Sequence, residues 1–203
     1  MLKTDIVKQL KSIVGQDSVL TKKEDLATYA YDGTTTWSHS PDAVVLPTTT
    51  KQISSILALA NQNLIPVTPR GSGTNISGGS IPIQGGIVLC TTRMNRVLEI
   101  NGANLTATVE PGVVLHDFNT LLAKENLFYP PDPQSFLSCT LGGTVAENSG
   151  GPLCIKYGVT KQYVLGLEVV LPDGYILNIG GSTVKNRTGR EWHVSCLRKT
   201  HPS

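Results

Sequence analysis

An apolar run at residues 64–67 delivers the chain into eleven residues of almost no side-chain bulk, PRGSGTNISGG at 69–79. The stretch holds four glycines, two serines, one threonine and one asparagine. Glycine permits positive φ and lets neighbouring backbone N–H groups converge without side chains in the way. A concave row of such amides binds phosphate without needing charged side chains. The spacing is not the G-x-G-x-x-G of a nucleotide-binding βαβ unit, and no Gly-Lys-Ser/Thr follows, which separates it from both common phosphate loops.

A second run of small residues, SCTLGGTVAENSGG at 138–151, carries two Gly-Gly pairs and follows the stiff segment Pro130-Pro131-Asp132-Pro133. Two backbone-rich surfaces, one in each half, suggest one long ligand lying between them. A dinucleotide with a central pyrophosphate has that shape.

Around these runs the chain reads as mixed α and β. Ile6, Leu10 and Ile13 recur at helical spacing near the N-terminus, which predicts an amphipathic helix there and not a signal peptide. A second helix is expected over residues 22–33, then a strand in PDAVVLPTT. A helix capped by the threonines before Lys51 follows, with Ile53, Ile56, Leu57 and Ala60 on one stripe. Strands in LIPVTP and GGIVLCTTR come next, and a helix-length crossover implies parallel pairing. VLEINGANLTATVEPGV reads as a hairpin and VLHDFNTLLAKEN as a helix. Few helix signals occur between residues 127 and 158. Pro172-Asp173-Gly174 is a strong turn between two apolar strands.

Composition narrows the function classes. The net charge of +2 leaves no electrostatic footprint for nucleic acid, and no apolar run is long enough to span a bilayer. Cys90, Cys139, Cys154 and Cys196 form no C-x-x-C pair, and His39, His116, His193 and His201 are scattered. The expectation is reduced thiols in a cytoplasmic protein with no metal site.

Five ordered motifs then make the chain recognisable. AVVLPTTTKQISSILALANQNLIPVTPRGSGTNISGG resembles the opening of the FAD-linked oxidases of the vanillyl-alcohol-oxidase and p-cresol-methylhydroxylase type. VEPGV, FYPPDP, CTLGGTVAENSGGPLCIKYG and VLGLEVVLPDG are similar to the branch that holds the flavin-bearing chain of bacterial glycolate oxidase and D-lactate dehydrogenase. The resemblance runs from about residue 31 to 189. It implies an α+β, two-lobed FAD-binding domain over 41–189, with lobe one at about 41–125 and lobe two at about 126–189. A helical segment at 1–40 precedes it and an atypical tail at 190–203 follows.

Carried over residue by residue, the resemblance assigns the pyrophosphate to Pro69, Arg70, Gly71, Ser72, Gly73, Thr74, Asn75, Ser77 and Gly78. It assigns the flavin and its ribityl chain to Pro130, Asp132, Ser138, Thr140, Gly142 and Gly143, with Ala146, Asn148 and Gly151 beyond them. Tyr157 and Gly158 lie in the matching K-Y-G segment. Residues 69–80 contain neither His nor Cys, so FAD is expected to be held non-covalently, with Cys139 and Cys154 as small packing residues.

The implied reaction is oxidation of glycolate or D-lactate by hydride transfer to FAD. An iron–sulfur or other electron-transfer subunit is an implied partner. The tail REWHVSCLRKTHPS lacks the family's Gly-Thr-Leu-Gly segment and the cap domain that follows it. The substrate base and metal-binding histidines of relatives belong largely to that portion, so no catalytic residue is assigned. A truncated chain with an open sheet edge is expected, impaired or inactive without the cap. The alternatives are a non-catalytic scaffold fragment and a flavin reductase of the UDP-N-acetylenolpyruvoylglucosamine type.

Overall fold

The computed structural model describes residues 2–34, 36–181, 193–195 and 198–199. Two compact units emerge, Met1–Met94 with Val170–Leu177, and Asn95–Val169 with the chain from Asn178 onward. The division at Met94 lies upstream of the lobe boundary expected near residue 125, because the β5–β6 hairpin described below pairs with later strands.

In the first unit, α1 (Thr4–Val14) buries Ile6 and Leu10, one turn apart. β1 (Val19–Leu20) and α2 (Lys23–Ala27) follow. α2 is far shorter than the helix expected over 22–33. After Ala27 the chain tightens into i→i+3 bonds, Tyr29 N–H to Leu26 O and Ala30 N–H to Ala27 O. Residues 31–34 then leave the helical path to meet the glycine loop.

β2 (Ala43–Val45) is buried at all three positions. α3 (Thr50–Gln62) begins where the threonines predict. Thr49 caps it by accepting the Gln52 amide, and the Gln52 side chain accepts the Thr48 amide in return. These reciprocal bonds satisfy amides that a helix start otherwise leaves open. β3 (Val67–Arg70) and β4 (Ile87–Cys90) complete a sheet of order β1-β2-β4-β3. Both β2 and β3 run parallel to β4, so the expected parallel strands exist but with β4 inserted between them. Val45, Ile87 and Leu89 pack with Ile56 and Leu59 of α3 and Leu10 of α1. Each such side chain contributes about 1.5–3 kcal/mol when fully removed from water. The Pro172-Asp173-Gly174 turn lies against α3, where Ser54 Oγ donates to the Gly174 carbonyl at 2.5 Å.

In the second unit, β5 (Val97–Asn101) and β6 (Thr106–Val109) form the predicted antiparallel hairpin. α4 (Leu115–Ala123) buries Leu115, Phe118 and Leu122. Then come β7 (Leu127–Phe128), α5 (Leu141–Glu147), α6 (Cys154–Tyr157), β8 (Val164–Val170) and β9 (Ile176–Gly180). α5 stands where few helix signals were expected. Its two glycines conceal it in the sequence, while Thr140 caps it and Leu141 and Thr144 anchor it in the core.

The tail contributes two short strands. β10 (His193–Ser195) enters the sheet antiparallel to both β6 and β8, giving the order β5-β6-β10-β8-β9, and β11 (Arg198–Lys199) pairs with β7. A ladder needs only main-chain donors and acceptors, so a segment without apolar periodicity can join the sheet between β6 and β8. Most of the motif at 180–189 and Cys196 lie outside the described residues. No helix among the described residues is long and apolar enough to cross a membrane.

Candidate functional site

β3 ends at Arg70, and the loop turns with positive φ at Gly73 (74°) and Gly78 (76°). Among the described residues, the N–H groups of Ser72 to Ile76 donate to no protein acceptor, while residues 71–75 are half-buried. With no protein acceptor, this row of main-chain donors is chemically open to an anionic ligand. The Ser72 and Thr74 hydroxyls lie 3.5 Å apart on the same loop and add O–H donors.

The loop's frame comes from elsewhere in the first unit. Gly33 N–H donates to the Asn75 carbonyl at 2.8 Å. The Asn75 amide nitrogen donates to Asp32 Oδ2 at 2.7 Å and to Ser77 Oγ at 3.1 Å, and its oxygen accepts from Ser80 Oγ at 2.7 Å. The Asn75 side chain is therefore committed to the protein, and this residue can offer a ligand only its backbone.

Arg70 is 7% exposed. Its Nη1 donates to the Tyr31 carbonyl at 2.6 Å, and its guanidinium lies over the Tyr29 ring, 5.6 Å from the centroid. A Cβ at Gly73 would fall 2.1 Å from Arg70 Nη2. The arginine thus braces the loop from beneath, and Gly73 keeps room for its guanidinium. Pro69 sits in the ladder opposite Leu89.

The second small-residue run is built differently. The first amides of α5 are all engaged: Leu141 N–H with Val113 O, Gly142 N–H with Pro111 O, and Gly143 N–H with Thr140 Oγ1. A Cβ at Gly142 would stand 2.7 Å from Pro111 Cβ, and one at Gly151 would stand 2.1 Å from the Asp132 carbonyl oxygen. These glycines permit close packing of backbone on backbone. Asn148 takes the left-handed conformation that ends α5, and its Oδ1 accepts the Lys161 amide. Gly158 turns with φ of 84° above Gln162. The Tyr157 ring meets Phe128 edge-on at 5.9 Å and Lys156 Nζ at 4.9 Å. Pro130 and Thr140 are buried, whereas Ser138, Ala146 and Asn148 are exposed.

Residues 69–78 are thus together in the first unit, and residues 130–158 in the second. Sequence reasoning missed Asp32 and Gly33 as partners of the loop. The Asp-Gly pair is visible as a helix end, but its contact lies 43 residues away. Glu110, unassigned from sequence, is buried and accepts the Arg96 backbone amide, Nε and Nη2. Burial pushes the Cys139 thiol above its ordinary pKa, partly offset by its bond to Ser135. Such a thiol is a poor nucleophile.

The profile of the FAD binding domain family matches residues 41–180. The chain is 44% identical over 189 residues to the glycolate oxidase subunit GlcD of Bacillus subtilis (strain 168), covering 93% of this chain and 40% of that protein. It is 43% identical over 146 residues to a D-lactate dehydrogenase of Archaeoglobus fulgidus, covering 72% of this chain and 32% of that one. The chain thus spans about 40% or less of the length of these relatives. Among solved structures, p-cresol methylhydroxylase with substrate bound shares the fold, with a TM-score of 0.82 and 22% identity over 98% of this chain and 44% of the other. An open amide row in the loop, five motifs in order and a profile match over more than half the chain lead to one conclusion: this chain belongs to the FAD binding domain family.

Proposed function

We propose that this chain holds FAD without a covalent bond and forms the cofactor-binding part of an oxidoreductase acting on a small 2-hydroxy acid, glycolate or D-lactate. The row of unpaired N–H groups from Ser72 to Ile76 carries the reading. Five contiguous amides and two hydroxyls suit a pyrophosphate, whose oxygens are acceptors only. The relatives' names supply the substrate class, and the length they have beyond this chain is where the reading places substrate chemistry.

FAD, when bound, would supply a two-electron acceptor for the hydride released when a 2-hydroxy acid is oxidised, the hydroxyl proton leaving to a base or to water. The protein's own part is binding and orientation. Ser72 to Ile76 donate to the diphosphate, and buried Arg70 lends positive charge from beneath the loop. Among the second unit's assigned residues, Ser138, Ala146 and Asn148 present small, exposed surfaces suited to a flat ring. The committed amides of residues 141–143 fix the backbone there. GlcD is named as a subunit, and an electron-transfer partner is part of the proposal.

Purified chain incubated with FAD and desalted tests the reading. Retained yellow flavin that acid precipitation releases into the supernatant is expected. Colourless protein after incubation contradicts it, and flavin that stays with the precipitate contradicts non-covalent binding. In a full-length relative carrying this segment, anaerobic bleaching by glycolate or D-lactate is expected.

A further inference from the structure

We infer that Asp32 is a positioning residue for cofactor binding, acting through Asn75 on the amide row of the glycine loop. The inference rests on the proposed pyrophosphate assignment and deepens it. Asp32 is only 7% exposed and forms no ion pair among the described residues. A buried carboxylate without a counter-charge is costly, so its place needs a reason.

Its bonds provide one. Oδ1 accepts the Thr34 amide at 2.7 Å, and Oδ2 accepts Asn75 Nδ2 at 2.7 Å. Both oxygens are acceptors, which only a carboxylate offers at this position. With Nδ2 held at Asp32, the Asn75 oxygen must face Ser80 Oγ. Gly33, next to Asp32, grips the Asn75 carbonyl, and a Cβ at Gly33 would stand 2.9 Å from that oxygen. The peptide plane after residue 75 is thereby fixed, and with it the direction in which the open N–H row points. Preorganised donors bind without reordering cost. A negative charge near a diphosphate is unfavourable in itself, so the value of Asp32 lies in the geometry it imposes and not in its charge.

Asp32→Asn leaves one bond intact but turns an NH2 group toward a donor. The 203-residue chain carrying it is expected to bind FAD about tenfold more weakly, roughly 1.4 kcal/mol, as read by flavin fluorescence titration. In FAD-free protein, exchange of the Gly33 amide is expected to rise about tenfold by NMR. The reciprocal exchange D32N/N75D restores the pair with donor and acceptor reversed, and Gly33 exchange is expected to return toward the parent rate. A general loss of stability would not be rescued in this way.

An unchanged Kd in folded Asp32→Asn, or no recovery in the exchanged pair, overturns the inference. If Asp32→Asn does not fold, Ser80→Ala frees the other end of the same amide. A Kd raised about threefold then supports the inference, and an unchanged Kd overturns it. Failure of the underlying reading looks different: FAD then leaves exchange at residues 72–76 of the parent chain unaltered, whatever Gly33 does in the variants.

Discussion

The two small-residue runs look alike in sequence and differ in what their backbones do. At 72–76 the amides around Gly73 donate to no protein acceptor among the described residues, and the frame is supplied by Asp32, Gly33 and Arg70. In the second run the amides of residues 141–144 are already engaged, and the missing Cβ of Gly142 and Gly151 admits Pro111 and Asp132. A glycine-rich stretch is therefore two different devices. One exposes donors to a ligand, and the other lets main chain pack on main chain.

Substitutions at the glycines should separate the two. Gly151→Ala places a Cβ 2.1 Å from a backbone oxygen at φ of 129°, and is expected to cost about 3 kcal/mol of stability by urea unfolding. Gly142→Ala, against the Pro111 ring and carbonyl, is expected to cost about 2 kcal/mol in the same measurement. Gly73→Ala first meets a side-chain end, the Arg70 guanidinium, and not a backbone atom, so its stability cost should be nearer 1 kcal/mol. Its main effect should appear in FAD titration, as a Kd raised about tenfold. If Gly73→Ala matched Gly151→Ala in stability and left the Kd alone, the contrast would collapse. The smallest expected effect concerns thiols. With Cys139 buried and its pKa raised, and Cys154 half-buried, iodoacetamide at mildly alkaline pH should label Cys154 before Cys139. Mass spectrometry of the digest reads the order, and earlier labelling of Cys139 would mean that the packing around α5 is looser than described.

Much of this is legible without any coordinates. Helical spacing of Ile6 and Leu10, the threonine cap of α3, the Asn-Gly hairpin and the Pro-Asp-Gly turn are local signals, and local signals survive into the fold. What stays hidden depends on distant partners. α5 carries two glycines that argue against a helix, and its core anchors and Pro111 override them. β10 has no pattern because its place comes from the ladders of β6 and β8. Asp32 reads as part of a helix end, since nothing near it in the chain points to Asn75. The same limit applies to Arg70. Its position before the loop suggests direct phosphate contact, while its hydrogen bond goes to Tyr31.

Residue-resolved amide exchange with and without saturating FAD tests the central claim most directly. With FAD at about a hundred times its Kd, exchange at residues 72–76 should slow by about two orders of magnitude, and residues 141–143, already bonded within the protein, should change little. FAD-loaded protein in which residues 72–76 exchange as fast as before would contradict the account.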